Sequence, residues 1–248
     1  MTEIVVKGVE SQGKILQNVS SGESFERFLQ SQKATQEKKG LSDIEAYNLR
    51  ATTLDILNHC NPHDATDNRE TTHLVVGYVQ SGKTMSFTGV LAMAHDNGYR
   101  VAIILTGVTN NLLDQTSKRL VLDLGDRDAK DNFSFIENPS DTDTDCVVKA
   151  LRLSDKPLII IPILKHTKYI NNIATIFRCE KVRRVLGSET VIIIDDEADQ
   201  TSLNGYGYEN SKQYEDNEKE QTATYAAILD LRSALAGNSY IQYTATPQ

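Results

Sequence analysis

A chain of 248 residues has material for one large α/β domain or two small ones with a full core. Acidic side chains outnumber basic ones, 34 Asp and Glu against 26 Lys and Arg, for a formal charge of −8. That balance excludes a globally basic nucleic-acid footprint and confines any such contact to a local patch. The three cysteines (Cys60, Cys146, Cys179) are odd in number and lack C-x-x-C spacing, which fits reduced core thiols rather than disulfides or a zinc site. His59, Cys60 and His63 form the only local cluster of metal-ligand types, without a second pair at zinc spacing. No apolar run approaches the ~18 residues of a membrane span and the N-terminus has no signal-peptide pattern, so a soluble, cytoplasmic protein without membrane contact is expected.

Along the chain, Ile4, Val5 and Val6 predict a short strand, and Glu23 to Lys33 a helix with Phe25, Phe28 and Leu29 on one face. Gln32 to Gly40 reads as a polar linker. A second helix starts at Ser42, which forms a capping-box pair with Glu45. Ile44, Tyr47, Ala51, Leu54 and Leu57 recur at helical spacing, and Pro62 ends the run. Residues 1–72 thus read as a helical accessory segment without visible chemistry, joined by the polar stretch Asn61–Thr72 to a second unit, 73–248.

That unit alternates regularly. Strands are predicted at Leu74–Val76, Val101–Leu105, Leu158–Ile163, Val191–Ile194 and Tyr240–Tyr243, with an extra one around Phe133, Phe135 and Ile136. Helices are predicted at Met85–His95, Asn111–Leu122, Tyr169–Cys179 and Thr224–Leu235. Continuous aliphatic runs between helices predict a mainly parallel sheet covered on both faces, whose ligands sit at the carboxyl ends of the strands. Leu203 to Thr222 lacks aliphatic residues after Leu203 and reads as a mobile loop, or else as a contacting lid built on Tyr206, Tyr208 and Tyr214. The basic cluster Arg178, Lys181, Arg183 and Arg184 reads as a solvated helix terminus that offsets the helix dipole.

The stretch that organises the rest is LVVGYVQSGKT, Leu74 to Thr84. Gly77, Gly82, Lys83 and Thr84 complete the G-x-x-x-x-G-K-[ST] pattern of a phosphate-binding loop, with Gln80 and Ser81 inside it. Its glycines let the backbone curl so that successive N–H groups face an anion. Lys83 brings a point charge to the β- and γ-phosphates, the Thr84 hydroxyl is a ligand for Mg²⁺, and the following helix turns its positive end to the phosphates.

About 110 residues on, the strand Val191–Ile194 delivers Asp195-Asp196-Glu197-Ala198-Asp199. In a phosphate-loop enzyme one carboxylate orients Mg²⁺ and a neighbour polarises the attacking water. Asp196 takes the first role and Glu197 the second; Asp195 closes the strand and Asp199 ties this motif to a later one. Alone the run would be a solvated acidic turn; the phosphate loop upstream changes its meaning. The last residues, YTATPQ, put the hydroxyls of Thr244 and Thr246 at another strand end, within reach of Asp199 or a γ-phosphate.

Together, GKT, Asp196-Glu197-Ala198-Asp199 and Thr244-Ala245-Thr246-Pro247 resemble motifs I, II and III of superfamily 2 helicases, which occupy the first of two RecA-like domains. The wording VVGYVQSGKT, LTGVTNNLLDQTSKRL, IIDDEADQTS and YTATP resembles more closely the bacterial Z-one domain proteins, helicase-like putative endonucleases of phage-defence and restriction contexts. The likeness covers Leu74 to Gln248. It implies a RecA-like P-loop ATPase domain with ATP and Mg²⁺ as cofactors, acting on DNA in a defence or restriction endonuclease. It also implies a second RecA-like domain with an arginine finger and a nuclease region, both beyond Gln248, and a possible partner protein of a defence system. ATP over GTP rests on the likeness alone. Ile104–Leu120 falls where that superfamily places motif Ia, so Thr106, Gly107, Asn110, Asn111 and Gln115 become candidate contacts to a nucleic-acid backbone, with Arg119, His166 and Lys168 beside them. The alternative from another class is an ATP-dependent conformational switch that binds a partner protein without moving on DNA.

Overall fold

The computed structural model describes residues 5–8, 18–34, 40–66, 69–76, 82–125, 132–196, 198 and 212–244. Its centre is a sheet in the order β1-β2-β7-β6-β3-β5-β4. The strands are β1 (Val5–Gly8), β2 (Glu70–Val76), β3 (Val101–Leu105), β4 (Phe133–Phe135), β5 (Leu158–Ile163), β6 (Thr190–Asp196) and β7 (Gly237–Thr244). All neighbouring strands are parallel except β1, which closes one edge antiparallel to β2. This is an α/β fold with a mainly parallel sheet, as the alternating pattern predicts, and it is consistent with the RecA-like fold that the resemblance implies.

The strand order dictates which helices cover which face. The chain leaves β2 for β3 and β4 in one direction, through α3 (Lys83–Asp96) and α4 (Asn110–Leu124). It then returns through β5, β6 and β7 by way of α5 (Thr144–Leu151), α6 (Thr167–Arg178), α7 (Glu180–Leu186) and α8 (Lys212–Ser233). Crossovers between parallel strands are right-handed, so reversing direction moves the helices to the other face. The two cores follow this division. Ala102, Ile104, Ile160, Ile192, Ile194 and Ile241 pack under α3 and α4, while Val101, Ile103, Ile159, Ile161, Val191 and Ile193 pack under α5 to α8. The alternation along each strand is the pleat itself. Each of the buried Val and Ile side chains among them contributes roughly 1.5–3 kcal/mol of hydrophobic stabilisation.

The N-terminal helices α1 (Glu23–Ala34) and α2 (Asp43–His59) lie on α3 and share its core, so these two helices form an outer layer on it. The capping box is formed: Ser42 Oγ accepts from Glu45 N, and Glu45 accepts from Ser42 N at 2.8 Å. On α1 the expected face is buried, with Phe25, Phe28 and Leu29 at most 4% exposed. On α2 it is rotated. Ala46, Leu49, Thr53, Ile56 and Leu57 face inward, whereas Ile44 and Tyr47 are 70% and 71% exposed. Ala46 and Thr53 are small enough to let α2 approach α3 closely: a methyl group on Gly89 of α3 would stand 3.1 Å from Thr53 Oγ1.

Two helices escape the sequence pattern. The eight-residue α5 follows a long acidic stretch, and α7 is one short run after α6. At α8 the predicted loop is corrected: the helix begins at Lys212, so 212–222 is helical, while the stretch up to Ser211 with Tyr206 and Tyr208 lies outside the described residues. Lack of aliphatic residues denies a segment a core, but Lys, Glu and Gln are strong helix formers that can propagate an existing helix. The basic cluster near α7 is tied down by carboxylates: Arg178 to Asp230, Lys181 to Asp145 and Arg184 to Glu180.

One side chain of α3 fastens the start of α1. Asp96, the last residue of α3, accepts from the backbone N–H of Gly22, Ser24 and Phe25 at 2.8, 2.9 and 3.0 Å, capping α1 from another helix. Charge-assisted bonds of this kind are stronger than neutral ones. Asp96→Ala should therefore cost about 2 kcal/mol, read as a lower urea midpoint, with Asp96→Asn losing less.

His73 on β2 is 7% exposed, and burial, then the nearby His59 and Arg232, push its pKa down to about 4. The unfolded chain protonates this imidazole near 6.5 but the folded chain only near 4, so the neutral ring supports the fold above about 6.5 and loses that support as pH falls towards 4. Lowering pH from 7.5 to 5.5 should destabilise the protein by about 1 kcal/mol more than it destabilises His73→Gln. The comparison with that variant separates His73 from His95, whose pKa burial also lowers.

Candidate functional site

The described residues of the motifs, Gly82 to Thr84, Asp195, Asp196 and Thr244, lie at the carboxyl edge of the sheet. There the connections from β2 and β3 leave for one face and those from β5 and β6 for the other, which opens a crevice between them. Of the phosphate-loop residues, Gly77, Gln80 and Ser81 lie outside the described residues. Gly82 is the N-cap of α3 at φ 77°, a left-handed conformation that suits glycine, and it offers no capping side chain. Lys83 and Thr84 open the helix and are partly exposed. From Ser86 to Ala94 the helix is buried, so the first turn is held firmly with its positive end at the sheet edge.

β6 brings two adjacent aspartates to that edge, and the pleat sends them to opposite faces. Asp195 follows Ile193 to the α5–α8 side and is fully buried. One of its oxygens pairs with Lys165 Nζ at 2.5 Å and the other accepts from the Tyr240 hydroxyl at 2.5 Å. Asp196 follows Ile194 to the side covered by α3 and is partly exposed. Register puts Asp196 beside Tyr243 and Thr244 beside Val76, the last strand residue before the phosphate loop.

Tyr243 connects the two halves. Its hydroxyl lies 3.3 Å from Ser86 Oγ and its ring meets Phe87 edge-on, both residues of α3. Burial, above all, raises the pKa of this phenol, and the nearby Asp196 charge raises it further, so it stays protonated as a hydrogen-bonding group. Asp196 and the first turns of α3 thus share one face, with a buried tyrosine between them. A carboxylate and a threonine hydroxyl are hard oxygen donors of the kind Mg²⁺ takes, and an uncapped helix N-terminus carrying a lysine suits phosphate. The residues present fit a Mg²⁺-nucleotide.

Other candidates sort differently. Glu197, Asp199 and Thr246 lie outside the described residues, although Ala198 between the first two is buried. Thr244 is fully buried. Thr106 and Gly107, expected as nucleic-acid contacts, are both buried. The Thr106 hydroxyl donates to Ile163 O at 2.9 Å within the core, and Gly107 is buried where any side chain would collide with Leu112. They shape the turn from β3 into α4. Asn110, Asn111 and Gln115 do reach solvent, on the first turns of α4, whose N-cap is Thr109. His166 is also exposed, its Nδ1 accepting from Lys168 N as the cap of α6.

Sequence reasoning missed Lys165, Tyr240, Tyr243 and Ser86. The only signal for Lys165 was a lysine directly after a run of aliphatic residues, where a charge needs a partner. An open cleft of about 400 Å³ lies at the opposite, amino edge of the sheet, between Phe177, Gly187 and Leu235, away from every motif residue. Among the described residues no helix is long and apolar enough to cross a membrane. No protein-family model matches this chain, and no curated protein matches it either.

Proposed function

We propose that this chain is the Mg²⁺-dependent ATPase part of a helicase-like protein that acts on DNA, within a cytoplasmic bacterial phage-defence or restriction endonuclease of the Z-one type. The observation that carries it is the shared face of Asp196 and the first turn of α3, linked by Tyr243 to Ser86. In this reading Lys83 and the N–H groups of the α3 terminus hold the β- and γ-phosphates. Thr84 and Asp196 hold the metal, which when bound neutralises the phosphates and the charge that develops on them. Glu197 holds the attacking water in line and takes up its proton. The exposed amides of Asn110, Asn111 and Gln115 meet the nucleic-acid backbone without reading sequence. The overall charge of −8 gives that last step no help, so it rests on the resemblance of the motifs.

The test is ATP turnover by the full-length protein with and without single- and double-stranded DNA, with Lys83→Ala as the blank. Turnover that DNA raises at least several-fold, lost by ~100-fold or more in the variant, is the expected result. Turnover that survives Lys83→Ala would overturn the assignment of the site. Turnover lost in the variant but indifferent to DNA would instead favour an ATP-dependent switch working on a partner protein.

A further inference from the structure

Lys165 is a charged side chain in the wrong place for a surface residue. Its side chain is 1% exposed and that of its partner Asp195 is 0% exposed. Such a pair costs desolvation at both ends and gives no more stability than apolar residues of the same volume would, so stability does not explain it. Geometry does. Lys165 belongs to the loop after β5, and β3 lies between β5 and β6 in the sheet. Its backbone N–H donates to Gly107 O at 3.4 Å, at the end of β3, while its side chain crosses to β6. There Nζ meets Asp195 at 2.5 Å and also donates to the carbonyl of Asp196 at 3.1 Å. From the other neighbour, β7, Tyr240 holds the second oxygen of Asp195.

We propose that Lys165 is a positioning residue for Asp196: it holds the Asp196 carbonyl and the Asp195 carboxylate on one face of the sheet, so that the Asp196 carboxylate is presented to a divalent cation on the other. The inference rests on the Mg²⁺-nucleotide reading of the site. Two effects follow from the same ammonium. It fixes the backbone of the last residue of β6 by a hydrogen bond that no side-chain change at Asp195 can supply. It also neutralises Asp195, which otherwise would be an unpaired charge buried in the face behind Asp196. Second-layer contacts of this kind typically govern 10–100-fold in metal affinity.

The experiment measures binding of a fluorescent ATP analogue to the full-length protein, in EDTA and across a Mg²⁺ titration, for the wild type, Lys165→Met and the double variant Lys165→Met/Asp195→Asn. The double variant removes both buried charges at nearly constant volume, so it reports even where the single one does not fold. Expected is unchanged affinity in EDTA, with the Mg²⁺ needed for half of the tightening raised ~10-fold or more in each folded variant. A double variant with wild-type Mg²⁺ dependence would overturn the proposal, since Lys165 would then only neutralise Asp195. Equal loss with and without Mg²⁺ would overturn it as well, because that is what general damage to the fold produces. A wild type that binds the analogue without any response to Mg²⁺ would remove the reading on which the proposal rests, a result distinct from both.

Discussion

The site depends on the pleat of one strand. β6 is buried on both faces, and its alternate residues belong to two cores that no side chain of the strand can join. Hydrophobic burial sets the register: a slip by one residue would exchange the faces along the whole strand. Because Ile192 and Ile194 are committed to the α3 side and Val191 and Ile193 to the other, the two aspartates that follow have no choice of direction. The core therefore decides which carboxylate becomes buried structure and which one faces the helix that carries Lys83 and Thr84.

Electrostatics completes what packing begins. A carboxylate inside a low-dielectric face must be paired and hydrogen-bonded to remain charged, and Asp195 has both Lys165 and the Tyr240 hydroxyl. Lys165 comes from the loop after β5 and Tyr240 from the adjacent strand β7, so satisfying the buried charge also ties β5, β6 and β7 together. On the opposite face Tyr243 does similar work without charge, joining β7 to α3 through Ser86 and Phe87. The edge of the sheet is thus braced on both faces where the Asp196 carboxylate leaves it.

The outer helices extend that bracing. α3 is sandwiched between the sheet on one side and α1 and α2 on the other, which explains why nine consecutive residues from Ser86 to Ala94 are buried on a single helix. Asp96 at its far end fastens α1 by three backbone hydrogen bonds, and β1 adds a strand beside β2. Residues that read as an accessory segment thus support the helix whose first turn carries the phosphate-loop lysine.

The strands Val101–Leu105 and Leu158–Ile163 were legible to the residue because short aliphatic runs rich in β-branched residues and bounded by polar turns favour a buried strand, and the phosphate-loop and carboxylate motifs stood out by spacing. Helix faces were less legible: α2 carries apolar residues on two sides, and only contact with α3 selects Leu49 and Ile56 over Ile44 and Tyr47. Local sequence determined the elements, their alternation and the polar residues at the strand ends, because propensity and periodicity are properties of neighbours along the chain. The tertiary structure alone decided which of the two faces each of Asp195 and Asp196 takes, that Lys165 crosses β3 to reach them, and that Thr106 is spent on Ile163. Those outcomes depend on strand order and register, which bring together residues dozens of positions apart and have no signature in either partner's local sequence.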